Sequence, residues 1–308
     1  MSGKRWYRWS LRIVVFAALA WFIMVNLDEL RSYDFTISLT SLAASFLLMN
    51  LAYLILLFLW IRISGMFGLQ APPLKAGKAW FLSQLGKYVP SKVALLLVRF
   101  EVYQGVSRWK ITVATGVEYI ASLASASLLV LVGLASAREI VPPAIRWGAM
   151  GSALVFIVIL YPPVLKNLIN LGAKIVKKNP MEEIPSYPVL LGLVAAYMFE
   201  GLLKGLALFL VLKMLTPLDW AYYLVVTGTF EAAGLIGLAA VFAPGGLGVR
   251  EGILFLVLST FMAKPPVIIG AILIRLINTG TEIFLAGFFS LAYRNRLLPG
   301  PGASGQEW

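Results

Sequence analysis

A chain of 308 residues that is 60% hydrophobic and 13% charged cannot fold as a water-soluble globule, because soluble domains carry roughly 25% charged residues. Its apolar residues come in long continuous runs, which excludes a β-barrel of short alternating segments and predicts helical membrane spans. The net charge of +12 is read as basic loops beside anionic headgroups, and the absence of cysteine and histidine excludes disulfides, thiolate nucleophiles and imidazole chemistry.

In chain order, the need for about 20 apolar residues per crossing places spans at 11–27, 37–61, 111–136, 146–165, 187–212, 220–242 and 266–291. The first has the basic start of a signal peptide. No small-residue cleavage site follows it and further spans come later, so it reads as a retained helix with Trp6, Tyr7 and Trp9 at the interface. Lys4, Arg5, Arg8 and Arg12 precede this span; Arg62, Lys75 and Lys78 follow the second; Lys166, Lys174, Lys177 and Lys178 follow the fourth. Positive loops stay inside, so the expectation is a multi-pass protein of the cytoplasmic (inner) cell membrane with a cytoplasmic N-terminus. The basic C-terminal stretch suggests an inside end too, with residues 294–308 as a tail.

Two stretches do not read as simple spans. One is "LKAGKAWFLSQLGKYVPSKVALLLVRFEVYQG" at 74–105; the other starts at "APGGLGVREG" and runs through "ILFLVLSTFMAKPP". Both have apolar parts too short to cross alone and predict re-entrant or broken helices, tolerated at membrane depth only where protein or water satisfies the backbone. Each precedes a long span, and the Pro-containing loop 166–186 separates them. The expected fold is therefore an all-α integral membrane protein, with about 7–8 transmembrane helices plus two re-entrant or broken segments. It forms one domain over 1–293, in pseudo-repeated halves at roughly 1–165 and 187–293.

Ionisable residues inside apolar runs are costly and mark function by default. Here they are Glu118, Glu200, Lys204, Glu231, Arg275 and Glu282, with Lys87, Lys92, Arg99, Glu101, Arg250 and Glu251 in or beside the interrupted stretches. Glu200 and Lys204 stand one helical turn apart and read as a neutralising pair. Arg275, Asn278 and Glu282 form one stripe, either a hydrogen-bonded helix seam or the wall of a hydrated cavity. Glu118 and Glu231 each need a cation or a proton; Arg99, Arg250 and Arg275 are the available partners, in static pairs or in a proton-coupled cycle. "GKYVPSK" and "PGGLGVRE" share a device: Gly86, Pro90, Pro244, Gly245, Gly246 and Gly248 break the backbone and start a helix whose free N–H groups lie near Lys87, Lys92 or Arg250. That arrangement suits a phosphate, or is simply a break with a snorkelling cation.

At these motifs the chain resembles the transmembrane flippase-like domain of lysylphosphatidylglycerol synthases and its stand-alone relatives. The residues that carry the resemblance are Gly86-Lys87-Tyr88-Val89-Pro90-Ser91-Lys92, Arg99, Gly105-Val106-Ser107, Glu118, Pro244 through Gly252, and Arg275 with Glu282. They extend over nearly the whole chain. Ser91 replaces the family's usual glycine after the proline. The resemblance implies movement of a phosphate-bearing lipid between leaflets: a phospholipid, an aminoacyl-phospholipid or a polyprenyl-phosphate-linked lipid. Lys87, Lys92, Arg99, Arg250 and Arg275 would hold the phosphate, while Glu118, Glu231, Glu251 and Glu282 balance charge or couple protons. No soluble aminoacyl-transfer domain follows the last span, so that activity is not expected.

Membrane lipids are the expected partners, with a lipid-modifying enzyme as a further one. No nucleic acid, metal or cofactor is expected, and no P-loop supplies nucleotide energy. The alternatives are a membrane-embedded lipid-modifying enzyme of glycosyltransferase type, and a non-catalytic partner of such an enzyme.

Overall fold

The structure is a computed structural model that describes residues 33–86, 94–136, 143–240 and 243–297. The expected first span at 11–27, and Lys87, Pro90 and Lys92, lie outside the described residues.

Ten α-helices and no strand occur among the described residues. They are α1 (Leu39–Met66), α2 (Pro73–Leu85), α3 (Ala94–Val102), α4 (Arg108–Ser136), α5 (Pro143–Ile159), α6 (Pro162–Ile175), α7 (Tyr187–Leu215), α8 (Tyr223–Ala239), α9 (Val249–Leu258) and α10 (Lys264–Leu297). The starts follow capping chemistry. Ser38 caps α1 by accepting from the Ser41 amide at 3.4 Å, and α2, α6 and α7 carry proline in the first turn, where no N–H is missed.

Five helical stretches are long and apolar enough to cross a membrane: Leu39–Met66, Arg108–Ser136, Tyr187–Leu215, Trp220–Ala239 and Lys264–Arg294. The expected span at 146–165 is corrected. Its chain bends by 76° between α5 and α6, so it is one broken span or a re-entrant pair and not a straight helix. The cause is local: Pro162 and Pro163 have no N–H to continue the α5 ladder and instead start α6. Counting that pair as one span gives up to six among the described residues, which do not include the expected first span. The region 166–186 is likewise only partly a loop. α6 occupies its first half, and the chain folds back onto it: Lys166 Nζ donates to the Glu182 carbonyl at 2.9 Å, and Asn170 Oδ1 accepts from the Met181 amide at 2.8 Å.

Large apolar side chains stand on the outside. Leu47, Leu51, Leu54 and Phe58 line one face of α1, and Ile283, Phe284, Phe288 and Leu291 line α10. Continuous stripes of this kind are unfavourable in water and suit acyl chains. Inside, the same order occurs twice: a long helix, a shorter helix, a separate short helix, a second long helix. The first run is α1–α2–α3–α4 and the second is α7–α8–α9–α10. The two runs interlock. α1 packs on α7, α2 reaches across to α10, and α8 reaches across to α4. At the α4–α8 crossing Gly133 and Gly228 let the backbones touch: a Cβ on Gly133 would lie 2.7 Å from the Leu224 carbonyl oxygen and 2.8 Å from Gly228 Cα.

Candidate functional site

The polar residues of the oily helices gather in three groups. The first centres on Arg99 of α3, which is wholly enclosed. Its Nη1 donates to Glu118 Oε2 of α4 at 2.6 Å and to Thr115 Oγ1 at 2.9 Å, and its Nε donates to Ser83 Oγ of α2 at 3.1 Å. The guanidinium lies over the Trp60 ring of α1, 3.8 Å from the centroid. Trp80 Nε1 of α2 donates to the other Glu118 oxygen at 2.7 Å. A charge taken out of water must be paired and hydrogen-bonded, and here three helices beyond α3 (α1, α2 and α4) supply the partners. Of the partners open to Glu118, the structure selects Arg99.

The second group is the turn before α9. Gly245, Gly246 and Gly248 have φ of 61°, 70° and 79°, the left-handed region that side chains with a Cβ resist. Three such residues in four explain why the stretch is nearly all glycine. Gly86, by contrast, sits at φ −59° and ψ −22° at the end of α2, an ordinary helical conformation open to any residue. Glu251 then locks the turn. Its Oε2 accepts from the Gly248 amide at 2.7 Å, and its Oε1 accepts from Arg275 Nη1 of α10 at 2.8 Å. Arg275 Nη2 also donates to the Gly245 carbonyl at 3.2 Å. Glu251 and Arg275 thus act together on the backbone of the break.

The stripe on α10 divides at this point. Arg275 faces the turn, while Asn278 and Glu282 face α1. Glu282 is fully buried and accepts hydrogen bonds from the Tyr53 hydroxyl and, at 3.0 Å, from Asn278 Nδ2. This is the hydrogen-bonded seam.

The third group joins α7, α8 and α9. Glu200 and Lys204 form the expected ion pair along α7, and the Lys204 ammonium lies 5.0 Å from the centroid of the Tyr53 ring, next to the Glu282 seam. Glu231 of α8 lies across Gly201, the neighbour of Glu200 in the chain: a Cβ there would sit 3.0 Å from Glu231 Oε1. Arg250 of α9 comes from the other side. Its stem is threaded between Gly237 and Gly246; a Cβ on Gly237 would lie 2.7 Å from Arg250 Cγ, and one on Gly246 would lie 3.0 Å from its Nε. That Nε is buried and has no hydrogen-bond partner. Neither Glu231 nor Arg250 makes a side-chain hydrogen bond or close ion pair with a described residue.

The structure therefore places Glu231 against α7 beside Gly201 and Arg250 between Gly237 and Gly246, and it engages Arg99, Glu118, Glu251, Arg275 and Glu282 with other protein groups. Sequence reading had no sign of Trp60, Trp80 and Tyr53 as partners, since aromatic residues in apolar runs look like ordinary packing. Gly237 was open to discovery, as a glycine in the helical run "GLIGLA" that lowers propensity without a local reason. Comparison of the chain with protein-family models and with curated proteins finds no match.

Proposed function

We propose that this chain is a lipid transporter that carries a phosphate-bearing lipid between leaflets, and that Arg250 is the cation that holds the headgroup. The observation that carries this reading is the state of Arg250. It is a guanidinium at the break between α8 and α9, its stem is held by two glycines, and among the described residues it has no bonded carboxylate. A half-buried arginine whose Nε is enclosed and without a partner suits a bidentate oxyanion such as a phosphate.

The repeated helix order supports the same reading. Halves that repeat one helix order and pack reciprocally, α2 on α10 and α8 on α4, suit alternating exposure of one site between them. Arg99 then ties α2, α3 and α4 together, Arg275 holds the glycine turn before α9, and neither touches the lipid. Lys87 and Lys92 remain part of the proposal through the family resemblance. Transport runs down the lipid gradient or is coupled to an ion.

The test is reconstitution in vesicles that carry a headgroup-charged fluorescent phospholipid, with a membrane-impermeant reductant reporting leaflet exchange. The parent protein is expected to accelerate exchange over empty vesicles. Arg250→Ala should slow it by at least about tenfold, the scale of one lost charged hydrogen bond, and Arg250→Lys should recover part of the rate. Equal rates for Arg250→Ala and parent would remove Arg250 from the site. No acceleration by the parent would remove lipid transport.

A further inference from the structure

Pro162 and Pro163 start α6 (Pro162–Ile175) at 76° to α5. A helix bent that far from a span along the membrane normal runs close to the membrane plane. Its contacts place it at the ends of two spans. A Cβ on Gly172 would lie 3.2 Å from Trp109 Cη2, in the first turn of α4. The Tyr161 ring meets that of Tyr187, the first residue of α7, edge to face with 5.6 Å between centroids. Tryptophan and tyrosine favour the level where headgroups meet acyl chains. Leu165, Ile169 and Ala173 form the face that α6 buries against the protein.

A second face of α6 is left over. Leu168, Leu171 and Ile175 follow i, i+3, i+7 spacing and are 46%, 57% and 74% exposed. Lysines stand beside this stripe. Lys166 and Lys174 are on α6 itself. Lys177 and Lys178 follow in the turn that ends it, where Lys177 has φ 53° and the Lys178 amide donates back to the Ala173 carbonyl at 2.8 Å. All four are exposed, and none forms an ion pair with a described residue. Arg108 and Lys110, on either side of Trp109, add exposed cations to the turn that α6 rests on. The acidic side chains of this stretch are Glu182 and Glu183, both exposed, in the return segment that leads to α7.

We propose that α6 is an interfacial helix that binds an anionic leaflet: Leu168, Leu171 and Ile175 enter the acyl boundary, and Lys174, Lys177 and Lys178 hold phosphate-bearing headgroups beside them. An apolar stripe flanked by lysines on a helix in the membrane plane supplies both terms of such binding, apolar burial and attraction to negative lipid. A second copy of this face would bring like charges together, so it does not fit as the occupant. The bent pair then contributes one crossing, made by α5, whose 17 residues are at the short end of what spans a bilayer. The surface is separate from Arg250 and does not depend on lipid transport.

The test is local quenching on the full chain. The chain has no cysteine, so Leu171→Cys takes a single fluorophore, with Leu51→Cys on the exposed side of α1 as the control. Labelled protein is reconstituted in phosphatidylcholine vesicles doped with doxyl-labelled phosphatidylglycerol or doxyl-labelled phosphatidylcholine. The label at 171 should be half-quenched by the phosphatidylglycerol at roughly a tenth of the phosphatidylcholine fraction, and the label at 51 equally by both. Lys174→Gln, Lys177→Gln and Lys178→Gln in combination should bring the ratio at 171 close to one, with thermal midpoints to show that the fold is kept. Labels at Leu168→Cys and Ile175→Cys should respond most to the same shallow doxyl position, whereas a helix that continues across the membrane would separate them by about 10 Å in depth.

Equal quenching by the two lipids at 171, or a preference that survives the triple substitution, overturns the headgroup site. The same preference at 51 shows a general surface charge and overturns it too. No quenching by either lipid at 171 means that protein covers the stripe, and unequal depths at 168 and 175 mean that α6 crosses; either result overturns the interfacial helix.

Discussion

The two halves place an ion pair at the same position with the signs reversed. In the first, Arg99 on the short helix α3 meets Glu118 on the long helix α4; in the second, Glu251 on the short helix α9 meets Arg275 on the long helix α10. The surroundings differ. The first pair has side-chain exposures of 0% and 9%, the second 18% and 15%. The first is bonded to side chains of α2 and α4 and covered by Trp60, whereas the second is bonded to the backbone at Gly245 and Gly248. One half therefore uses its pair to bind helices to one another. The other uses its pair to hold the shape of a glycine turn, and Arg250, next to Glu251 in the chain, is left unbonded.

The largest expected effect breaks the first pair. Glu118→Ala leaves Arg99 charged, enclosed and without a counterion, a situation that typically costs about 3–5 kcal/mol. Glu251→Ala leaves Arg275 partly accessible to water and should cost about 1–3 kcal/mol, mostly through the lost amide acceptor at Gly248. Thermal midpoints of the detergent-purified variants measure the order. Equal losses would erase the contrast between the halves.

The crossings that interlock the halves come next, and they too are unequal. At α4–α8 a methyl on Gly133 would strike backbone, which can move only if the helices separate. At α2–α10 a methyl on Gly77 would strike the Phe289 ring at 2.3 Å, and that ring is the end of a side chain. Gly133→Ala is therefore expected to lose about 1–3 kcal/mol and Gly77→Ala less, by the same midpoint measurement. The reverse order would mean that the α2–α10 contact is the more rigid joint.

How much of this was legible in the sequence varies with the physics involved. The long helices were visible, because about 20 apolar residues in a row have few other uses. The glycine turn was visible, because Gly245, Gly246 and Gly248 do what only glycine does easily. The Glu200–Lys204 pair followed from spacing on one helix. The bend at Pro162 was missed in the count of spans although both prolines were in view, since apolar composition continued through them. Partner choice was not legible. Arg99, Arg250 and Arg275 were interchangeable on paper as partners for Glu118 and Glu231, and only tertiary packing separates the two committed arginines from the uncommitted one. The aromatic partners of the Arg99 group carried no signal at all.

The smallest change in stability should carry the most information about function. Gly237 lies in α8 and packs on the stem of Arg250, so a methyl there meets Cγ at 2.7 Å and Nε at 2.9 Å. Unlike the neighbours of Gly133, this neighbour is a flexible side chain that can move away. Replacing glycine by alanine inside a helix also favours the helix by about 0.8–1.0 kcal/mol, which offsets part of the crowding. Gly237→Ala is therefore expected to keep its thermal midpoint near that of the parent while Arg250 is pushed out of its slot. If Arg250 holds the headgroup, leaflet exchange falls toward the Arg250→Ala rate in a protein that is otherwise intact. If exchange is unchanged, the slot between Gly237 and Gly246 serves only packing, and the second half contains no better-prepared site than the first.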